Sequence, residues 1–298
     1  MMDAPRDGAC WAFIRGSLEL FLYGWYPEPE RWRVNLTFIL FGAAVFGALR
    51  ENIPGKKYWL MFAAVFPFLA AWLLFGGFGL EPVPTGKLGG ILLTLVVAVT
   101  GISFSLPLGI ALALGRRSRL PVLRAICVIF IEFIRGVPLI TLLFVASTML
   151  TYFLPPGSSF DLLMRVLIMV TLFAAAYIAE VVRGGLQGLS SGQYEAADAL
   201  GLTYWQSHRL IILPQALKIS IPGIVNTFIG SYKDSVLVLI IGMMDILGLG
   251  RARLNDPDWL GLAPELYIFI SLFFFVSCFA MARYSLSLEK KLETGHQS

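Results

Sequence analysis

Apolar residues run through this chain in long continuous blocks, separated by short breaks rich in charge, Gly and Pro. The blocks have the length of bilayer-crossing helices, the first of them short but apolar throughout, and none shows the period-two alternation of a barrel strand. The pattern predicts spans at about residues 34–49, 58–79, 88–114, 162–182, 216–241 and 265–288. Residues 122–154 are too long for one plain span and are broken at Gly136 and Pro138. They predict an approach helix followed by a span, the fourth in chain order, which brings the number of spans to seven. Residues 9–26 are weakly apolar and interrupted by Arg15 and Glu19. They predict an interfacial helix with Trp11, Tyr23, Trp25 and Tyr26 at the headgroup boundary. Were that segment to insert, the spans would number eight. Gly101, Ser105 and Gly109 recur every four residues and mark a face for close helix contact.

Composition agrees with this pattern. Of 298 residues, 57% are hydrophobic and only 14% charged, against roughly a quarter charged in soluble domains. Mean hydropathy is +0.77. The fold class is therefore all-α, a polytopic helical membrane protein. The net charge of +4 is read as membrane orientation rather than nucleic-acid binding. With residues 183–218 placed in the cytoplasm, thirteen of the 23 Lys and Arg fall on the inner side and eight on the outer, as the positive-inside rule requires. Cys10, Cys127 and Cys278 are scattered, without a metal or disulfide pattern. The start has no basic stretch leading into an apolar core, so no cleavable signal peptide is expected.

Between the blocks at 162–182 and 216–241 lies the polar stretch EAADALGLTYWQSHRLIILP, Glu195 to Pro214. Its charges would be costly in lipid, so it must lie in water or against a partner. Ser190 and Ser191 are placed to cap a helix start, with Glu195 near its positive end. Ala197, Leu200, Gly201, Tyr204 and His208 fall at helical spacing on one face. Pro214 then limits that helix and starts the next element.

Several charges lie inside apolar regions, where each costs about 2.5–3.5 kcal/mol even on lenient insertion scales. Glu132 and Arg135 are three apart and are expected to pair. Glu180 and Arg183 repeat that spacing. Lys233 and Asp234 are neighbours, so each needs a partner elsewhere, and Asn226 lies two turns earlier. Internal ion pairs that pin helices are one reading. The other is a path for a zwitterionic solute, with Arg135 and Lys233 for its carboxylate and Glu180 and Asp234 for its ammonium.

Glu195-Ala196-Ala197, Gly201, Ile211, Leu213 and Pro214 resemble, without a gap, the signature loop of permease subunits of bacterial ABC importers. FIEFIRGVPLI, AYIAEVVRGGLQGL and SYKDSVL, taken with it, resemble the polar amino-acid permease family of the histidine/glutamine type. CWAFIR and ERWR are similar to the general L-amino-acid uptake branch. Ser235-Val236 depart from that family's usual Thr-Ser after the Lys-Asp pair. The resemblance implies a five-helix core over 88–288, preceded by two or three additional N-terminal helices. A segment over 1–33 and two extra spans over 34–80 come before the core, and a cytoplasmic tail, 289–298, follows it. It also implies that the start is internal to a longer chain. The implied function is the permease subunit of an ATP-driven importer of amino acids, broad or polar L-amino acids, in the bacterial inner membrane. Glu195, Ala196, Ala197, Gly201, Leu213 and Pro214, within a loop over 190–215, would couple it to a dimer of ATP-binding subunits. A second permease subunit and a periplasmic amino-acid-binding protein would complete the assembly. Arg135, Glu180, Asn226, Lys233 and Asp234 would line the solute path.

No catalytic motif is expected of such a subunit. Its two Gly-Lys pairs are not P-loops: Gly86-Lys87 is followed by Leu88 with Glu81 where a P-loop begins with Gly, and Gly55-Lys56 is followed by Lys57 with Arg50 at that place. No cofactor, metal cluster or nucleic-acid motif is expected either. The competing functions are an ABC permease for another small solute and an ATP-independent secondary transporter. The latter would carry paired inverted repeats.

Overall fold

The computed structural model describes residues 9–50, 53–149, 152 and 160–293, with side chains through 291. The first eight residues, most of 150–159 at the end of the broken span, and the tail from 294 lie outside the described residues. Among the described residues the chain is helical, with no strand. Among the described residues, six helices or helical runs are long and apolar enough to cross a membrane, or seven where the bent pair Pro121–Gly136 and Leu139–Met149 is counted as one span.

The elements in order are α1 (Ala12–Tyr23), α2 (Arg31–Leu49), α3 (Lys56–Phe75), α4 (Gly90–Arg116), α5 (Pro121–Gly136) and α6 (Leu139–Phe144). They continue with α7 (Leu162–Gln187), α8 (Ser191–Ala199), α9 (Tyr204–Ser207), α10 (Leu213–Asp234), α11 (Ile246–Arg253) and α12 (Ala263–Glu293). The six unbroken spans expected are present, with boundaries that move by a few residues, as helix ends do; the end of the broken span lies outside the described residues. The bundle has two ends: a loop end carrying residues 188–212, and a far end.

α4 and α7 form the centre. The small-residue stripe of α4 does what its spacing predicts: Gly101 faces Val170, and Gly109 faces Ile178 and the carbonyl of Ala175. Ser105 between them is fully buried. A Cβ on Gly109 would sit 2.6 Å from Ile178 Cγ2, so only glycine permits this approach. α10 packs on α7 by the same device, with Gly223 against Val181 and Gly185 against Ala216 and Ser220. Without a hydrophobic drive between helices in lipid, such close van der Waals packing holds the bundle together.

α5 ends where the chain reaches Val137-Pro138. A residue before proline is pushed out of the helical region, and Val137 is extended at φ −112 and ψ 132. The helical pair therefore bends by 104°. α5 buries Cys127, Ile131 and Ile134 on one face and leaves Val122, Ile126, Ile129 and Phe133 exposed on the other.

α1 has twelve residues, about 18 Å, too short to span. It lies across the far end, with Phe21 stacked on Phe269 and Phe13 beside Trp259. The amide of Cys10 donates to Glu265 Oε1 at 2.9 Å. Trp11 and Trp25 are exposed, as an interfacial helix requires, but Tyr26 is buried. Its hydroxyl donates to Leu74 O at 2.8 Å, so its role is to pin α3 rather than to float at a headgroup boundary. Beside it, buried Arg33 pairs with Glu30 at 2.6 Å and donates to Glu81 O at 2.7 Å. At the loop end Lys56 Nζ donates to the carbonyls of Gly47, Ala48 and Arg50, closing the α2–α3 hairpin by satisfying the C-terminus of α2.

Candidate functional site

The loop between α7 and α10 folds into two short helices. α8 ends at Ala199, and Gly201 follows it with φ +67. The amide of Leu202 reaches Ala197 O at 3.2 Å and that of Gly201 reaches Asp198 O at 2.9 Å. This is the Schellman stop, and it needs a left-handed residue at that position. The helical face expected from Ala197 through His208 is therefore interrupted, because the chain turns at Gly201 instead of continuing. Ser190 takes the N-cap position of α8, but its side chain makes no capping bond. The side-chain cap in this loop belongs to Thr203 and Gln206, which form a capping box at α9. One π turn, His208–Ile212, then leads into α10, where Pro214 sits in the first turn. A missing N–H costs nothing there.

Burial divides the motif into two roles. Ala197 is buried inside the chain, and Ile211 is partly so. Glu195, Ala196, Gly201 and Pro214 are exposed and Leu213 is partly so. Leu200 is 73% and Trp205 70% exposed, which is unusual for large apolar side chains on a polar loop. Inside it, His208 Nδ1 lies 2.9 Å from Tyr204 O, with ring centroids 3.9 Å apart. Tyr194 Oη donates to Leu186 O at 3.0 Å.

The intramembrane charges separate into two sets. At the loop end Glu180 takes three guanidiniums. Arg183 donates through Nε at 3.0 Å and Nη2 at 2.8 Å, and Arg116 Nη1 lies at 2.9 Å from Oε1. Arg135 is farther, at 3.6 Å, with its guanidinium 5.5 Å from the Tyr177 ring centre. Glu132 pairs with Arg116 at 2.8 Å rather than with Arg135 three residues on, because Arg116 at the end of α4 and Glu180 on α7 approach α5 from outside that helix. The Glu180–Arg183 pair forms as its spacing predicts.

Asn226, Lys233 and Asp234 lie elsewhere. Gly223 is level with Val181, so Lys233, ten residues further along α10, stands about 15 Å nearer the far end. Lys233 and Asn226 are exposed and Asp234 is half-buried. Neither Lys233 nor Asp234 forms a salt bridge among the described residues. The Ser235 hydroxyl, in the variant position after them, donates to Tyr232 O at 2.6 Å and is fully buried. Two residues gave no functional signal in the sequence: Arg117, in the basic loop after α4, and Tyr194, one residue before the motif. The structure joins them, with Arg117 Nη1 donating to Tyr194 Oη at 3.0 Å.

Residues 105–294 match the family described as binding-protein-dependent transport system inner membrane component. The chain belongs to that family. It is 49% identical over 295 residues to the Escherichia coli inner membrane amino-acid ABC transporter permease protein YhdY, covering 98% of this chain and 80% of that protein. It is 45% identical to the Rhodobacter capsulatus glutamate/glutamine/aspartate/asparagine transport system permease protein BztC, covering 97% of this chain and 80% of that one. Its fold matches a chain from the crystal structure of an amino acid ABC transporter with histidines at TM-score 0.60 and 27% identity, over 68% of this chain and 92% of that one. A subunit of the MetNI methionine ABC transporter shares the fold at TM-score 0.51. This binding-protein-dependent permease is thus a non-catalytic, multi-pass transport subunit, and its family works with an ATP-binding subunit and a solute-binding protein.

Proposed function

We propose that this permease subunit imports polar L-amino acids across the bacterial inner membrane, driven by ATP hydrolysed on a partner. The observation that carries the reading is 49% identity across 98% of the chain to an amino-acid ABC permease. Residues 190–215 receive a dimer of ATP-binding subunits, with Glu195, Ala196, Gly201, Leu213 and Pro214 on or beside the docking surface and Ala197 holding α8 to the body. The exposure of Leu200 and Trp205 supports this, since a dry partner surface would bury both. A second permease subunit completes the path, and a periplasmic amino-acid-binding protein delivers solute at the far end. Residues 88–288 act as the transport core, with 1–33 and 34–80 as additions to it and 289–298 as a cytoplasmic tail.

Lys233, Asp234 and Asn226 are the residues best placed to meet a zwitterionic solute, because Lys233 and Asn226 are accessible and, among the described residues, Lys233 and Asp234 are not committed to ion pairs. Arg135 and Glu180 serve the path nearer the cytoplasm. The test is reconstitution of the assembled importer in proteoliposomes with loaded binding protein. Uptake of labelled polar amino acids should require ATP inside. Uptake without ATP, or of an unrelated solute only, would overturn the proposal.

A further inference from the structure

Arg116 and Arg117 are consecutive, yet their side chains hold different parts of the molecule. Arg116 ends α4 and bridges two helices, lying 2.8 Å from Glu132 on α5 and 2.9 Å from Glu180 on α7. Arg117 donates to the Tyr194 hydroxyl on α8 at 3.0 Å, and its guanidinium sits 5.5 Å from that ring's centre. Tyr194 in turn donates to the last turn of α7 through Leu186 O and is the residue before Glu195. We propose that this arginine pair positions the intramembrane charge cluster according to the position of α8, and so links the docking loop to the path. The inference rests on the coupling-loop reading above and names the residues that carry the motion inward.

The geometry supplies the argument. α4 is 27 residues long and packed along α7 through Gly101 and Gly109, so the two arginines in its last turn and just beyond it share one backbone base, and a pull on one is felt by the other. Adjacent Cα atoms are fixed about 3.8 Å apart. A shift of α8 by a few ångström that keeps the Arg117–Tyr194 bond therefore draws the last turn of α4, and Arg116 with it, away from Glu180. The cluster has the charges for a second arrangement. Three guanidiniums (Arg116, Arg135, Arg183) face two carboxylates (Glu132, Glu180), which leaves one surplus positive charge. Glu180 keeps Arg183 through two hydrogen bonds when Arg116 withdraws, and Arg135, now the loosest partner at 3.6 Å, can close onto the vacated oxygen. Glu132 is half exposed, 55% at its side chain, so water can replace its lost partner. Arg135 borders the 104° bend between α5 and α6, so the exchange would act on the broken span. A two-state element biased from a distant docking surface is what physical coupling requires.

The test uses the whole importer, with both permease subunits, the ATP-binding subunits and the binding protein, in proteoliposomes. Three quantities are read: co-purification of the ATP-binding subunit, ATP hydrolysis with loaded binding protein, and solute imported per ATP. Arg117→Ala and the milder Tyr194→Phe should keep co-purification, and hydrolysis should stay within about twofold. Import per ATP should fall about tenfold, the size expected for one charge-assisted hydrogen bond. Arg117→Lys should recover part of it. Arg116→Gln combined with Arg117→Ala should be no worse than the weaker single variant, because contacts in one chain of interactions are not additive. Import per ATP within twofold of wild type in Arg117→Ala and Tyr194→Phe would overturn the proposal. So would loss of the ATP-binding subunit from both, or effects that multiply in the double variant. The docking reading is judged separately, by whether Glu195→Lys releases the ATP-binding subunit.

Discussion

The Leu202 amide donates to Ala197 O across the turn that Gly201 makes, at 3.2 Å. That bond, rather than helical spacing, sets where α8 ends and which side chains it leaves outside. A Cβ on Gly201 would meet nothing within 4 Å, so a substitution costs only the left-handed backbone, about 1–2 kcal/mol. Gly201→Val is expected to unravel the turn, keep membrane insertion and lose stimulation of ATP hydrolysis. Gly201→Asn, which tolerates this conformation, should behave almost as wild type. Equal loss in both would mean that the partner needs the bare backbone rather than the turn. Glu195→Lys, on the exposed face, should insert normally and fail to co-purify with the ATP-binding subunit.

Glu180 is the common partner of Arg116, Arg135 and Arg183. Glu180→Gln keeps the shape and removes the charge, leaving three guanidiniums facing Glu132 alone. We expect a loss of roughly 1–3 kcal/mol from weakened charge-assisted bonds, read as a lower melting temperature in detergent. Import should fall further than that loss explains, with assembly retained. Unchanged uptake would make Glu180 a purely structural tie.

The sequence made the spans legible because lipid admits only long apolar helices, and the break at Gly136–Pro138 because proline dictates its neighbour's backbone. The stripe at Gly101, Ser105 and Gly109 was legible for the same reason: only small residues allow α4 and α7 to touch. Ion-pair partners were legible only where both members share a helix, as in Glu180–Arg183. The pairing of Glu132 with Arg116 depends on three helices meeting, which no spacing encodes. Tyr26 read as an interfacial aromatic because tyrosine suits both places, and only the fold supplies Leu74 O as its acceptor. The Arg117–Tyr194 bond joins positions 77 apart and left no local trace.

Adjacent glycines on α7 should respond with opposite signs. A Cβ on Gly185 would collide with Ser220 and the Ala216 carbonyl of α10, whereas Gly184 has nothing within 4 Å. Gly185→Ala must push α10 away, costing about 1–3 kcal/mol as overpacking does. Gly184→Ala gains the helix preference for Ala, about 0.5–1 kcal/mol. Melting temperatures of the two variants, measured side by side in one detergent, check this. If both fall together, α7 and α10 are not packed at the observed register.

Asp245 caps α11 through Oδ1, which accepts from the Gly248 amide at 2.8 Å, while Oδ2 is buried with no hydrogen-bond partner among the described residues. Burial pushes its carboxyl up from 3.8 to about 6, against the lowering effect of the amides of Gly248 and Leu247. The sign follows from proton binding. Between those values the folded protein holds a proton that the unfolded chain has released, so stability falls as pH rises through the interval and is lower above it. The full difference is on the order of 3 kcal/mol. Asp245→Asn keeps the cap, since Asn serves that position as well as Asp, and cannot ionise. Thermal unfolding in detergent from acid to neutral pH should therefore show a decline in the wild type that the variant lacks. A variant with the same decline would assign it to another group.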